Sequence, residues 1–329
     1  MDALEGTGPV KVLVVEPGYA SYAAESEVLT PLGAQITTLD WQGDRQKLLR
    51  GVADADLIML RDTVVDAALF DAAPRLRGLV RYGVGLDKID LEAARERRIK
   101  VANVPDYGAD IEVADHTLAL FLAVRRRIVT RDSAVRKGAW EVGQTEPLQR
   151  IAGATLGLVG YGRIARAVHK RFAAFGVDRV LVHDPFLDEQ GAAAAGVIRV
   201  TLEDLVEAVD ILSFHAPGRP DLRPTLTAEL FARLRPGVVI LNTARGSHID
   251  EAALRSAILS GRVAGAGLDV FQREPPDRDN PLFDLPQVVV SDHTAWYSEQ
   301  SVRQIQQLAA AEAHRILTGK IPLNWVNPW

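Results

Sequence analysis

The 329-residue chain contains no cysteine. Disulfides, thiol nucleophiles and cysteine-ligated zinc or iron–sulfur centres are therefore excluded. The same absence fits a cytoplasmic protein. Positive charge is not in excess, since 38 Lys and Arg face 43 Asp and Glu for a net charge of −5. With no basic reserve to neutralise phosphates, non-specific nucleic-acid binding is not expected. No apolar run approaches the ~18 residues of a membrane-crossing helix, because Gly, Arg or Asp interrupts each one. The first residues, Met1-Asp2-Ala3-Leu4-Glu5-Gly6, are acidic and do not read as a secretory signal.

What remains is a soluble α/β pattern. Hydrophobic residues make up 47% of the chain, enough for substantial cores, and the length predicts about two domains. Val10–Val15, Asp56–Leu60, Gly78–Tyr82 and Ile99–Ala102 read as buried strands, with helical stretches at Asp44–Val52 and Leu91–Arg98 between them. The spacing then predicts one long helix over Ile111–Arg131, with Val113, Leu118, Leu120, Phe121, Val124 and Ile128 on its apolar face. Arg125-Arg126-Arg127 within it reads as a solvated helix end that complements the helix dipole. The stretch Asp132–Ala154, with Gly138, Gly143 and Pro147, has no clear period. A second series of strands follows: Thr155–Val159, Arg179–His183, Asp210–Phe214, Gly237–Leu241, Ala264–Leu268 and Val288–Val290. From Ser298 to Gly319 the pattern is helical again. Continuous apolar strands alternating with helices predict two doubly wound parallel sheets.

The second series opens on Gly160-Tyr161-Gly162-Arg163-Ile164-Ala165, which fits G-x-G-x-x-G/A between a strand and a helix. Gly160 would allow the tight turn, and Gly162 would let a pyrophosphate approach the helix N-terminus. Asp184 ends the next strand and is positioned for the ribose hydroxyls. Its carboxylate would repel a 2′-phosphate, so NAD is favoured over NADP. His215-Ala216-Pro217 ends a later strand, where backbone would pass the cofactor. Asp269, at another strand end, is a candidate for the nicotinamide carboxamide or a turn aspartate.

Three further residues carry chemistry. Arg245 follows an apolar strand in Thr243-Ala244-Arg245-Gly246, and its planar guanidinium can grip a carboxylate with two parallel bonds. His293, after Val288–Ser291 and Asp292, is the candidate proton donor, as imidazole suits acid–base work near neutral pH. Glu274 or Asp292 would orient it. Among the other histidines, His116, His169 and His314 read as helix packing or partly exposed residues, His183 as a strand residue, and His248 as a loop residue. No pair has metal-ligand spacing, so no metal is expected.

These segments resemble the D-isomer-specific 2-hydroxyacid dehydrogenases, chiefly through Leu156–Ala165, Asn242–Gly246, Gly267–Pro275 and His293–Gln300. Within that family, His293–Gln300, Asp184-Pro185 and Leu317–Pro322 are most similar to the C-terminal-binding proteins, dehydrogenase-like corepressors. Arg61-Asp62-Thr63 departs from that branch, which has tyrosine and histidine before the threonine. The resemblance implies a flavodoxin-like substrate domain (residues 1–105 and 297–329) and a Rossmann NAD-binding domain (106–296), with the active site in the cleft. It implies a homodimer through the NAD domain. Arg245 would bind the substrate carboxylate, His293 would be the acid/base and Glu274 its support. Thr117, Thr243 and Ala244 would meet the cofactor, while Arg81, Val84, Gly85 and Trp296 would meet the substrate. The implied activity is NAD-dependent interconversion of a 2-keto acid and an (R)-2-hydroxy acid. An NAD-responsive binding protein is the alternative. Glu274 rather than glutamine separates the chain from formate dehydrogenases, while oxidation of another small oxyanion such as phosphite stays open.

Overall fold

The computed structural model describes residues 9–140, 147–218 and 223–329. The Met1–Gly6 segment and Gly143, both read above, lie outside them. In chain order the elements are β1 (Val10–Val15), α1 (Ala23–Leu29), β2 (Ala34–Leu39), α2 (Arg45–Gly51), β3 (Leu57–Leu60), α3 (Ala67–Ala72), β4 (Gly78–Arg81), α4 (Leu91–Glu96) and β5 (Lys100–Asn103). They continue with α5 (Ala109–Arg125), α6 (Ile128–Arg136), β6 (Thr155–Val159), α7 (Arg163–Ala173), β7 (Arg179–His183), α8 (Glu189–Ala195), β8 (Ile198–Arg199), α9 (Leu202–Ala208) and β9 (Ile211–Phe214). The last are α10 (Ala228–Arg233), β10 (Val238–Asn242), α11 (Glu251–Leu259), β11 (Val263–Leu268), β12 (Val288–Val290) and α12 (Glu299–Leu317).

Helix starts follow from local chemistry. Asp44, Asp66, Asp90, Asp188, Thr201, Thr227 and Asp250 each accept backbone N–H bonds as N-caps, and Ser298 forms a capping box with Ser301. Such caps are worth about 1 kcal/mol each.

The chain divides into two compact units. One runs up to Gly108 and includes Ser298–Trp329; its five strands form a parallel sheet in the order β2-β1-β3-β4-β5. That is the flavodoxin-like order. A buried polar contact ties three elements of this unit. Glu25 of α1 accepts from Tyr82, just after β4, at 2.7 Å and from Gln306 of α12 at 3.1 Å. Burial raises its carboxyl pKa.

The second unit, Ala109–Tyr297, holds a seven-stranded parallel sheet in the order β12-β11-β10-β9-β6-β7-β8. From β6 the chain steps outward to β7 and β8, then returns to β9 on the other side of β6. This is the doubly wound dinucleotide-binding order with one further strand, and its switch point lies between β6 and β9. Strands β6, β9 and β10 are buried throughout, which explains their unbroken apolar sequence. On one face α5 and α7 pack together, with the Phe121 and Phe172 rings 4.9 Å apart.

The predicted helix Ile111–Arg131 is two helices. Arg127 takes a φ of 57°, which ends α5 and starts α6. Arg125 is not the solvated helix end expected. It is 5% exposed, stacks its guanidinium on Phe121, and burial lowers its pKa. Ile128, placed on the apolar face by spacing, is 56% exposed because the break rotates α6. Two strands escaped the sequence. β2 is an edge strand whose Gln35, Thr37 and Thr38 interrupt its apolar residues, and β8 is two exposed residues.

Candidate active site

The glycine turn sits at the switch point of the second unit. Gly160 has a φ of 86°, and a Cβ there would lie 2.9–3.0 Å from the backbone of His215 and Ala216. The turn is pinned on both sides: Gly160 N donates to His183 O at 2.9 Å, and His215 N donates to Val159 O at 2.8 Å. Gly162 is the N-cap of α7. It supplies no side-chain cap, and no described atom lies within 4 Å of where its Cβ would be. The helix start thus has no side-chain cap from Gly162 and leaves space there, which fits a pyrophosphate.

Asp184 accepts from Tyr161 N at 2.7 Å and from Phe186 N at 2.8 Å. It therefore fixes the turn as well as presenting a carboxylate, which keeps acceptor capacity for hydroxyls. Tyr161 is buried, with its hydroxyl 2.8 Å from His169 Nδ1 and Arg166 over its ring. Thr117 and Thr243, far apart in sequence, meet at 2.9 Å beneath the β10 loop.

His215 contacts Ser213 Oγ through Nε2 at 2.8 Å, and its Nδ1 is buried without a partner among the described residues. Burial, with help from His248, pushes its pKa down to about 3. The unfolded chain would bind a proton here near pH 6.5 while the native state would not. Stability is therefore unaffected above that pH and falls as pH drops below it, by up to about 1.4 kcal/mol per unit. Urea unfolding midpoints between pH 7 and 4 should accordingly fall less steeply in His215→Asn than in the native sequence; equal slopes would refute this. His248, read as a loop residue, is buried: Nδ1 meets Thr225 Oγ1 at 2.9 Å and Nε2 meets Ala216 O at 3.0 Å.

Arg245 follows β10 in extended backbone. Asn242 shapes this loop by donating to Arg245 O at 2.8 Å and accepting from Ala244 N at 3.0 Å. Gly246 must be glycine, since a Cβ would meet the Phe271 carbonyl at 1.9 Å. Arg245 Nη1 donates to Ala244 O at 2.7 Å.

His293 and Glu274 come together. His293 Nδ1 lies 2.7 Å from Glu274 Oε2, and Glu274 Oε1 accepts from Phe271 N at 3.1 Å. Asp292, the competing carboxylate, accepts from Thr294 Oγ1 instead. Trp296 donates from Nε1 to His293 O at 3.0 Å. Asp269 is 1% exposed, and both its oxygens accept from the loop that carries His293. His116 reaches this loop through Ser291 at 2.8 Å, a contact across 175 residues that no sequence spacing announces.

In the first unit, Val84 is 38% exposed, and its carbonyl accepts from Asn103 at 2.8 Å. Arg61 lies over the Tyr19 ring, Thr63 bonds Glu16, and Asp62 pairs with Lys88. Glu16 and Tyr19 follow β1, and Arg61, Asp62 and Thr63 follow β3, at the switch point of that sheet. Among the described residues no cluster of metal-ligating side chains occurs, and no helix is long and apolar enough to cross a membrane.

Strand order, glycine turn and terminal aspartate define a dinucleotide-binding α/β protein. Comparison with known proteins narrows this. Residues 118–295 match the model of the D-isomer specific 2-hydroxyacid dehydrogenase, NAD binding domain. The chain is 43% identical over 264 residues to D-3-phosphoglycerate dehydrogenase of Mycobacterium tuberculosis, covering 80% of this chain and 49% of that protein. It is 37% identical over 288 residues to glyoxylate reductase of Korarchaeum cryptofilum, covering 86% of each. D-lactate dehydrogenase from Aquifex aeolicus, solved with NAD and lactic acid, matches with a TM-score of 0.86 at 26% identity over 97% of this chain and 99% of that one. The chain belongs to the D-isomer specific 2-hydroxyacid dehydrogenase family. It spans about half the length of the mycobacterial relative (49%).

Gly160→Val would set a branched side chain against backbone at a left-handed φ. NADH binding, followed by nicotinamide fluorescence, is expected to weaken at least about 100-fold, equivalent to about 2.7 kcal/mol. Native affinity would show that the turn does not hold the dinucleotide.

Proposed function

We propose that this chain is an NAD-dependent dehydrogenase that interconverts a 2-keto acid and an (R)-2-hydroxy acid. The observation that carries the proposal is the 2.7 Å His293–Glu274 pair in the unit that also holds the dinucleotide turn. Arg245 binds the substrate carboxylate with its guanidinium fork and draws electron density from the adjacent carbonyl. Glu274 engages Nδ1 of His293, so Nε2 is the atom that gives a proton to the carbonyl oxygen as it becomes an alkoxide. In the oxidative direction the same nitrogen takes the hydroxyl proton. Bound NADH supplies the hydride that C2 receives.

Thr117, Gly160–Ile164, Asp184, His215–Pro217, Thr243, Ala244 and Asp269 keep their assignment to the dinucleotide in this reading. Arg81, Val84, Gly85 and Trp296 keep theirs to the substrate. Arg61 and Arg81 would suit either a substrate with a second anionic group, a chemistry carried by the name of the phosphoglycerate relative, or ion pairs with Asp62 or Asp87. The resemblance to the corepressor-like branch rests on His293–Gln300 and short motifs, and the relatives reported above are dehydrogenases and reductases. An enzymatic role is therefore preferred to a purely NAD-responsive binding role.

The test is NADH oxidation with glyoxylate, hydroxypyruvate, its phosphate ester, phenylpyruvate and 4-methylthio-2-oxobutyrate. Turnover of at least one is expected. Tight NADH binding with no turnover on any would favour the binding protein.

A homodimer belongs to the same reading. No residue of α6 is buried, and Ile128, Val129 and Val135 are each at least 50% exposed. A helix with such an apolar surface is supported by a partner. Light scattering should give twice the chain mass, and Val129→Lys should reduce it; a monomeric native protein would end this part of the proposal.

A further inference from the structure

His293 has a φ of 58°, a conformation disfavoured for any residue but glycine. Asp269 imposes it. The backbone carbonyl of Asp269 accepts from His293 N at 2.8 Å, Oδ1 accepts from Thr294 N at 3.0 Å, and Oδ2 accepts from Ala295 N at 3.0 Å. Consecutive amides of the loop thus end on one buried residue.

Asp269 is itself held. Ser291 Oγ donates to Asp269 Oδ1 at 2.6 Å. A hydroxyl has one proton and this bond uses it, so the 2.8 Å contact between Ser291 Oγ and His116 Nε2 requires the ring to donate. His116 Nε2 also lies 3.7 Å from the same carboxylate oxygen. Thr117, the next residue of α5, bonds Thr243 two residues before Arg245. One turn of α5 therefore braces both loops that carry the proposed catalytic side chains.

We propose that His116 and Ser291 are positioning residues for the proton donor, fixing through Asp269 the backbone of His293 and hence its alignment on Glu274. This rests on the assignment of His293 as acid/base. It adds an element of the site on a helix distant in sequence from the trio.

Amide hydrogen exchange and steady-state kinetics on the full chain test it, with His116→Ala, His116→Gln and Ser291→Ala. Exchange at His293, Thr294 and Ala295 is expected to speed up about tenfold in both alanine variants, the effect of losing one hydrogen bond. The kcat for keto-acid reduction should fall about as much, with NADH affinity held. His116→Gln keeps a side-chain donor and should recover both. Continued protection of the β6 amides reports that each variant is folded. Native exchange at the three amides in both alanine variants would overturn the proposal. So would a loss of kcat that His116→Gln fails to recover. Exchange is read without substrate, so a native protein that reduces no keto acid would remove the dehydrogenase reading while the amides still decide whether the brace exists.

Discussion

His293→Ala is expected to lose about 10²- to 10⁴-fold in turnover, the usual worth of a positioned acid, while NADH affinity stays near native. Two effects must be separated in that variant. His293 sits at a φ of 58°, where alanine is strained. Asparagine tolerates this region better. His293→Asn therefore removes the imidazole while keeping the loop, and it should lose nearly as much activity. Glu274→Gln leaves an oxygen that can accept from Nδ1 but removes the charge opposite the imidazolium formed in the oxidative direction. Its loss should be smaller, on the order of tenfold, and concentrated in kcat. Single-turnover NADH oxidation isolates the chemical step from product release. Native rates in His293→Asn would end the assignment of His293 as the acid. A loss in His293→Ala alone would point to backbone strain.

Much of the fold was legible because parallel strands buried on both faces leave continuous apolar runs. The bounds of β6, β7 and β12 read from sequence agree with the structure residue for residue. β2 was not legible, since Gln35, Thr37 and Thr38 lie on an edge strand that needs no apolar alternation on its outer face. The break at Arg127 was hidden for another reason. Ile128 continues the helical spacing, and nothing local marks a left-handed arginine as it would a glycine. In the site, residue types at strand ends named Arg245, Glu274 and His293, but the choice between Glu274 and Asp292 needed coordinates. The contacts of His116 that carry the proposed brace needed them too. Its contacts join α5 to a loop 175 residues away, and a helical histidine carries no sequence sign of such a role.

Arg245→Ala should lower kcat/KM for keto-acid reduction by about 10²- to 10⁴-fold, because two charge-assisted bonds of about 1.5–3 kcal/mol each are lost with only partial replacement by water. Arg245→Lys gives the sharper test. It keeps the charge but not the planar fork, so it should recover only part of the loss. The division between constants carries the mechanism. If the guanidinium only holds the carboxylate, it does so equally before and during reaction, and KM rises with kcat unchanged. If it also polarises the carbonyl, kcat falls as well, and the lysine variant should fall in both. The loop can report that the variants keep their shape. Asn242 grips it through the backbone of Ala244 and Arg245, and Gly246 lies against the Phe271 carbonyl, so truncating the Arg245 side chain removes only its own Nη1 bond to Ala244 O and leaves these supports in place. NADH affinity should accordingly stay within a few-fold of native, as expected when the lost contact is to substrate alone. Native kcat/KM in Arg245→Lys would mean that no bidentate grip exists. A matching loss of NADH affinity in both variants would move Arg245 from the substrate to the cofactor.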